Sequence, residues 1–291
     1  MGKIIGTGMV VPEIIIWIEV ISDNPDWVFK NIGIRERRTG STTLELAYMA
    51  GQMAMINAGL KNVDMIIIAT ATPEMVAPST AAQVARDLNQ SCPAFDINAV
   101  CSGFLYGMII ANSFLQGNTA NILLIGVDTF SKITDYSDRN CVFFGDGAGA
   151  IVMTNGFQMI KSYWNCDPSD QGFTCKTGGT FEMNGRKVYE AALKLVPEAI
   201  SEVLKSSGIT IDEIDYMVPH QPSKRILMDI ADKIGLSREK VLMNMEKYAN
   251  TSAATIPILL HESWSKFKKG DKILFASIGS GWTYGAMLYQ V

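Results

Sequence analysis

The sequence repeats one order of segments about 150 positions apart, and this repeat limits the possible folds more than any other feature. Asn57–Leu60 precedes the strand-like run Asp64–Ala69, and Ser206–Ile209 precedes the strand-like run Asp215–His220. Each copy ends in a glycine-rich turn followed by an apolar strand. Helical patterns that alternate with apolar strands are typical of α/β layers with buried sheets.

Two further apolar segments lie at the same offset. Cys101 opens one that runs to about Leu115, and Asn250 opens another that runs to about Trp264. The first is apolar nearly all round, which is typical of a buried helix. We therefore expect two similar halves, residues 1–155 and 156–291, with Cys101 and Asn250 at the first turns of two buried central helices.

Cys101 is a candidate nucleophile. A thiol at a helix N-terminus faces the positive end of the helix dipole, which predicts a lowered pKa and favours the thiolate. The chain has five cysteines at irregular spacings, which resemble neither a disulfide framework nor a zinc motif. For any one of them, a buried inert thiol is the simpler interpretation.

His220 and Asn250 are candidates for the same site. His220 follows an apolar run, and catalytic groups of α/β proteins collect at such strand ends. The second histidine, His261, lies within a helical pattern and is typical of a packed or exposed residue. Asn250 is equally explained as a helix N-cap.

The glycine clusters do not fit a dinucleotide site. Gly145, Gly147 and Gly149 have the wrong spacing for GxGxxG, and an apolar strand follows where a helix is required. The turn at Gly279 and Gly281 does not fit a dinucleotide site for the same reason. Its backbone N–H groups are instead candidates for half of an oxyanion hole.

Charge and hydropathy exclude other classes of protein. A net charge of −4 gives no broad basic surface for nucleic acid. The N-terminus lacks a signal-peptide pattern, and the apolar runs are shorter than the roughly 20 residues that span a bilayer. We expect a soluble cytoplasmic protein that binds neither membrane nor nucleic acid and holds no metal.

Six motifs, in order along nearly the whole chain, resemble those of the β-ketoacyl-acyl-carrier-protein synthase III family. They are Gly33-Ile34-Arg35-Glu36-Arg37, Ala99-Val100-Cys101-Ser102-Gly103-Phe104, Phe144-Gly145-Asp146-Gly147-Ala148-Gly149-Ala150, Val218-Pro219-His220-Gln221-Pro222, Asn250-Thr251-Ser252-Ala253-Ala254 and Gly279-Ser280-Gly281-Trp282-Thr283. The resemblance implies the thiolase fold, in which two duplicated α/β halves form five layers, αβαβα, with two buried central helices. It also implies a homodimer.

The same resemblance implies an acyltransferase that starts fatty-acid synthesis. Cys101, His220 and Asn250 would form its catalytic triad, and the backbone N–H groups of Cys101 and Ser280 its oxyanion hole. An acyl-CoA, typically acetyl-CoA, would acylate Cys101, and malonyl-acyl-carrier protein would then lose carbon dioxide and attack. Coenzyme A enters as a thioester substrate, and no cofactor is expected.

The residues expected to bind these substrates match the family unevenly. Trp27 and Arg139 match its CoA-binding positions, and Arg225 with Lys224 matches its carrier-docking surface. Asn31 stands where the family usually has an arginine, and asparagine supplies neither a cation nor its planar stacking. A solvated helix face explains Arg225 and Lys224 equally well.

The acyl group and the second substrate stay open at this stage. Ala77 occupies a position that is often bulky and closes the acyl pocket across the dimer, so a small residue favours longer acyl groups. The alternatives are a relative that uses longer acyl-CoA or makes a secondary metabolite of polyketide or quinolone type, and one that condenses without decarboxylation. The last needs a carboxylate base, for which Glu74 is the candidate. A catalytically silent subunit that shapes an active partner is the non-enzymatic alternative.

Overall fold

Two β-sheets organise the computed structural model, which describes residues 2–117, 119–169 and 172–291. The first sheet has the order β1-β7-β6-β4-β5 and the second has the order β11-β12-β13-β8. The strands of the first sheet are β1 (Gly2–Val10), β4 (Met65–Ala69), β5 (Ala94–Ile97), β6 (Asn121–Thr129) and β7 (Asp146–Asn155). The strands of the second are β8 (Met159–Cys166), β11 (Tyr216–Pro219), β12 (Lys272–Ile278) and β13 (Thr283–Gln290).

Parallel and antiparallel pairs are combined in the same way in both sheets. In the first sheet β4 pairs in parallel with β5 and β6, and β7 is antiparallel to β6 and β1. In the second, β11 pairs in parallel with β12, and β13 is antiparallel to β12 and β8. The first sheet thus comes from residues 2–155 and the second from residues 159–290. The domain boundary near residue 155 stays a prediction.

Helices lie outside and between the sheets. They are α1 (Ile18–Ile21), α2 (Pro25–Asn31), α3 (Thr43–Asn57), α4 (Thr80–Asp87), α5 (Gly103–Leu115), α6 (Gly185–Ser207), α7 (Lys224–Ile234), α8 (Met245–Tyr248) and α9 (Thr255–Ser263). Helices α3 and α4 pack on one face of the first sheet, and α6 and α7 pack on the far face of the second. Helices α5 and α9 lie between the two sheets.

Side-chain alternation along the strands explains this layering. Ile67 of β4 points to the central layer and its neighbour Ile66 points to the outer helices, as period-two geometry requires. In β12, Phe275 likewise points to the centre and Leu274 points outward. Because both faces of each sheet are covered, the strands are apolar throughout. The predicted five layers with two buried central helices are confirmed.

Local signals set the ends of the outer helices. The side chains of Thr42, Asn184 and Ser223 accept hydrogen bonds from backbone N–H groups in the first turns of α3, α6 and α7. Helices α6 and α7 end at Gly208 and Gly235, which adopt left-handed φ values of 72° and 74°.

Two small antiparallel two-stranded sheets complete the fold. Strands β2 (Ile14–Trp17) and β3 (Glu36–Thr39) form one, and β9 (Phe173–Cys175) and β10 (Phe181–Met183) form the other. Within the described ranges, no helix combines the length and apolar character needed to cross a bilayer.

Matched turns precede the two central helices. A 3₁₀ turn at Val100–Ser102 leads into α5, and another at Ser252–Ala254 leads into α9. The residue before Cys101 has φ +46° and the residue before Asn250, Ala249, has φ +57°. Left-handed values are uncommon for residues with a Cβ, so both turns are held by their surroundings.

Candidate active site

The residues predicted to be catalytic line one cavity. Its volume is about 410 Å³, and Cys101, His220, Asn250 and Ser280 all contribute to its wall. Cys101 and Asn250 come from the turns that precede α5 and α9, and His220 follows β11. The structure therefore brings together four positions that are far apart in the chain.

The Cys101 thiol is protonated in the free protein. Burial raises its pKa to about 12. The lowered pKa predicted from the helix N-terminus was wrong in direction, and the largest cause of the raised pKa is the removal of the thiolate from water. A proton acceptor is therefore needed when the sulfur attacks.

His220 is a neutral base beside this thiol. Burial lowers its pKa to about 3. Its Nδ1 lies 2.8 Å from Thr255 Oγ1, which itself donates to the Ser252 carbonyl at 2.8 Å. Thr255 uses its single hydroxyl proton in the bond to Ser252, so it can only accept a hydrogen bond from His220. Nδ1 must therefore carry the ring proton. Nε2 then carries the lone pair of the ring.

Asn250 presents its amide N–H₂ group to the cavity. Its backbone is fixed against the loop before β7, since its N–H donates to the Phe143 carbonyl at 3.0 Å and its carbonyl accepts from Gly145 at 3.1 Å. Its Oδ1 accepts the Ser252 N–H at 2.8 Å. A backbone N–H can only donate, so this bond also decides which end of the amide is the oxygen.

The glycine-rich turn lies directly against the nucleophile turn. A Cβ on Gly279 would lie 2.7 Å from the Ala99 carbonyl oxygen and 3.0 Å from the Ser102 nitrogen, so a larger residue does not fit. Ser277 Oγ donates to the Cys101 carbonyl at 2.9 Å, which ties β12 to the same turn. This close approach places Ser280 beside Cys101 on the cavity wall.

Asp128 joins the loop after β4 to the turn that precedes α9, and sequence reasoning missed it. Its Oδ1 accepts from Ala71 N at 2.7 Å and from Thr72 Oγ1 at 3.0 Å, and its Oδ2 accepts from Ala253 N at 3.2 Å. Burial raises its pKa, and these hydrogen bonds lower it. Its position at the end of an apolar strand was the only available signal.

Four phenylalanines form a closed cluster next to the site. We call Phe130, Phe144, Phe173 and Phe181 the phenylalanine box; all six pairs of rings have centroids between 4.5 and 6.4 Å apart. Val100, which precedes Cys101, packs against the box. Phe144 and Phe173 line the cavity, and Phe144 pairs with Asn250 through an isolated β-bridge.

The expected binding residues lie at the outer end of the cavity. Trp27, Asn31 and Arg225 line its mouth. Trp27 also lines an adjoining cavity of about 770 Å³, to which Arg139 contributes. Asn31 donates its side-chain N–H to the Trp27 carbonyl at 2.9 Å, within its own helix. Arg186 lines both cavities, and sequence reasoning missed it.

Three other residues considered from the sequence lie outside both cavities. Lys224 is exposed on α7, and Ala77 lies in an exposed loop before α4. Glu74 accepts hydrogen bonds from Thr43 N at 2.6 Å and Leu44 N at 3.1 Å, and it pairs with Lys132 at 2.8 Å. It therefore caps α3 and is not available as a base at Cys101.

The cavity that holds the triad contains no acidic side chain among the described residues that line it. The described part of the chain also has no group of three or more His, Cys, Asp or Glu side chains placed to bind a metal ion. The reactive groups of the site are thus a thiol, an imidazole, an amide and backbone N–H groups.

Comparison with known proteins assigns this arrangement to a family. A model described as 3-oxoacyl-[acyl-carrier-protein (ACP)] synthase III matches residues 95–168, and its C-terminal counterpart matches residues 204–291. The chain belongs to the 3-oxoacyl-[acyl-carrier-protein] synthase III family. The predicted family, the thiolase-like fold and the acyltransferase class are confirmed.

Relatives in this synthase III family match over the full chain. The β-ketoacyl-[acyl-carrier-protein] synthase III of Aquifex aeolicus is 39% identical and that of Clostridium beijerinckii is 37% identical, each over 99% of this chain and at least 98% of its own length. The crystal structure of the Aquifex aeolicus 3-oxoacyl-[acyl-carrier-protein] synthase III superposes with a TM-score of 0.97 at 38% identity, covering 100% of both chains. A priming ketosynthase of the R1128 polyketide pathway, at 23% identity and a TM-score of 0.93, shares the fold. As a member of this family, the chain catalyses the condensation that initiates fatty-acid synthesis.

Proposed function

We propose that the protein condenses an acetyl group from acetyl-CoA with malonyl-acyl-carrier protein, using Cys101, His220 and Asn250. The observation that carries this proposal is the meeting of these three side chains in a cavity whose described wall has no carboxylate. Condensation without decarboxylation needs a base to remove a carbon-bound proton. Decarboxylation forms the same carbanion without one, and His220, with its pKa lowered to about 3 by burial, is a weak base, so the wall favours a malonyl substrate.

In the first half-reaction Cys101 becomes acylated. As the sulfur attacks the acetyl thioester, its proton moves to His220 Nε2, the ring nitrogen with the free lone pair. The N–H groups of Cys101 and Ser280 donate to the oxyanion of the tetrahedral intermediate. The bond to the CoA sulfur then breaks, and the CoA thiolate takes the proton from His220 Nε2 as it leaves, so the imidazole is neutral again.

In the second half-reaction the amide of Asn250 donates to the thioester oxygen of the malonyl group. The C–C bond to the carboxylate breaks, carbon dioxide leaves, and the electron pair remains on the enolate. The enolate carbon then attacks the acetyl-Cys101 carbonyl. The Cys101 sulfur departs as a thiolate and takes one proton from solvent, which completes the proton balance.

The phenylalanine box favours a short primer. Its rings are in mutual contact, so the side of the cavity next to Val100 has no room for an extended acyl chain. In a homodimer, Ala77 of the second copy would close the remaining side. Because Ala77 is small, the box becomes the part of the wall that limits chain length.

The remaining expectations about binding fit the same mechanism. Trp27 and Arg139 would hold the nucleotide part of CoA in the adjoining cavity, and Arg225 with Lys224 would receive the acidic carrier protein. Asn31 cannot supply the cation that the family usually has there. The reaction needs no metal or added cofactor, and both substrates are cytoplasmic metabolites, so we place it in the cytoplasm.

The test is the mass of the protein after incubation with acetyl-CoA. We expect one added acetyl group, its absence in Cys101→Ala, and its discharge by malonyl-acyl-carrier protein with formation of a 3-oxoacyl product. Persistence of the adduct in Cys101→Ala would disprove the assignment of the nucleophile. Discharge by a non-malonyl thioester would favour the non-decarboxylative alternative.

A further inference from the structure

Two basic side chains stand where substrates enter the cavity. Among the described residues of its wall, Arg186 at the start of α6 and Arg225 at the start of α7 are the cations. A thioester that enters on a phosphopantetheine arm carries a phosphate at the outer end of that arm. These arginines are therefore the groups on the wall suited to bind it.

Each arginine already has a carboxylate partner four residues along its own helix. Arg186 Nε lies 2.8 Å from Glu190, and Arg225 Nε lies 3.7 Å from Asp229 Oδ2. The side chain of Glu190 is 58% exposed and that of Asp229 is 33% exposed. Solvent therefore screens the Glu190 pair more than the Asp229 pair.

Asp229 is also fixed from the facing helix. Tyr189 of α6 donates its hydroxyl proton to Asp229 Oδ2 at 2.8 Å. The Arg225 guanidinium carbon lies 5.1 Å from the centre of the Tyr189 ring. The carboxylate and the ring together hold Arg225 in place at the mouth.

We propose that Asp229 is a positioning residue that competes with substrate phosphate for Arg225 and so weakens the binding of phosphopantetheine thioesters. This inference rests on the proposed function, because it supplies the phosphate. A ping-pong reaction must admit and release two such arms in each cycle. Because the carboxylate of Asp229 offsets part of the charge of Arg225, the arginine can pair with each phosphate and release it again.

The test compares Asp229→Asn with the wild type. Asparagine keeps an acceptor for Tyr189 and removes the charge. At low salt, we expect the KM for acetyl-CoA and for malonyl-acyl-carrier protein to fall about two- to fivefold, the size of effect typical of a partly exposed ion pair. The fall in KM should exceed any change in kcat, and added salt should abolish it.

Three controls make the result specific. Acetyl-pantetheine lacks the phosphate, so its KM should be equal in Asp229→Asn and wild type. Glu190→Gln removes the more exposed carboxylate and should change KM by less than Asp229→Asn does. Tyr189→Phe keeps the ring and the charge of Asp229, so it should not reproduce the fall in KM.

Two outcomes would overturn the inference. An unchanged KM for both phosphate-bearing substrates would show that Asp229 does not compete with phosphate. A change in KM for malonyl-acyl-carrier protein alone would show that Arg225 contacts the surface of the carrier protein and not the phosphate of the phosphopantetheine arm. The proposed function fails separately, if wild-type Cys101 takes up no acetyl group.

Discussion

At the scale of single residues, the chemistry depends on partners that the sequence motifs do not contain. His220 and Asn250 were predictable because His220 follows an apolar strand and Asn250 precedes an apolar helix. The role of Thr255 was not, because its hydroxyl acts only where α9 brings it within 2.8 Å of His220 Nδ1. The raised pKa of Cys101 was also unpredictable, since burial depends on the packing of all layers.

Replacement of Asn250 by aspartate should separate the two half-reactions. Aspartate keeps an oxygen for the Ser252 N–H and replaces the donating N–H₂ group by an acceptor. We expect the condensation kcat to fall about 10²- to 10³-fold, the usual effect of losing one oxyanion donor. Acetylation of Cys101, followed by mass, should fall by less than about tenfold. Asn89→Asp, at an exposed position, is the control. An equal loss of rate in acetylation and in condensation would contradict the role assigned to Asn250.

Acid should destabilise the protein through His220. Between pH 6.5 and about 3 the unfolded chain binds a proton that the buried imidazole does not, so the free energy of unfolding falls with falling pH. The loss from this group amounts to about 2 kcal/mol by pH 5.

The variant His220→Asn keeps a donor for Thr255 and removes the titration. The difference in free energy of unfolding between wild type and variant, from urea curves at pH 7 and pH 5, should therefore shrink at pH 5. Other titrating groups, such as Asp146 with its pKa raised to about 6 by burial, are common to both proteins and cancel. If the free energies of unfolding of the two proteins change equally between pH 7 and pH 5, the imidazole of His220 is not buried in its neutral form.

At the scale of elements, long periodic segments were predictable and short irregular ones were not. Helix α5 was found because its apolar character all round is typical only of a buried helix. The hairpin of β9 and β10 has three residues in each strand and no periodic pattern to detect. The phenylalanine box is built from separate loops and this hairpin, so no local window of sequence contains it.

Opening the phenylalanine box should lengthen the preferred primer. Phe181→Ala removes a buried ring behind Phe144 and Phe173, and each methylene then buried contributes about 0.8 kcal/mol. We expect the ratio of octanoyl to acetyl transfer to Cys101 to rise at least about tenfold in a competition followed by mass.

The truncation costs about 3–5 kcal/mol of stability, so Phe181→Leu should accompany it as a milder variant. Phe157→Ala, at a residue that is 85% exposed, is the matched control. If folded Phe181→Ala keeps the wild-type ratio of octanoyl to acetyl transfer, the phenylalanine box does not limit chain length. The same conclusion would follow if the wild type already preferred octanoyl-CoA.

At the scale of the whole molecule, the repeat predicted the layers, but a single sequence carries no direct signal for a second copy. Strand β5 lies at the edge of the first sheet and pairs only with β4 among the described strands. Phe114 of α5 is 41% exposed and lies beside Phe95 of β5, with ring centroids 6.4 Å apart. An unprotected edge beside exposed aromatic surface suits the proposed homodimer.

A charge at this edge should separate the copies. We expect Phe114→Glu to sediment as a monomer at concentrations where the wild type sediments as a dimer, because an unpaired carboxylate would be buried in the interface. Acetylation of Cys101 should also slow, since each pocket would lose the loop of Ala77 from the other copy. Phe157→Glu should remain dimeric. If Phe114→Glu sediments like the wild type, this edge is not the interface.

The left-handed residues at Val100 and Ala249 bear on how this protein can be engineered. A side chain in such a positive-φ conformation costs roughly 1–3 kcal/mol, which glycine would recover in part. A programme that selects mutations for thermal stability alone would therefore favour glycine at both positions. At Val100 it would also remove the contact with the phenylalanine box that steadies the turn. We expect such a protein to turn over more slowly, so thermostabilised libraries of this enzyme should be screened for activity at these two sites.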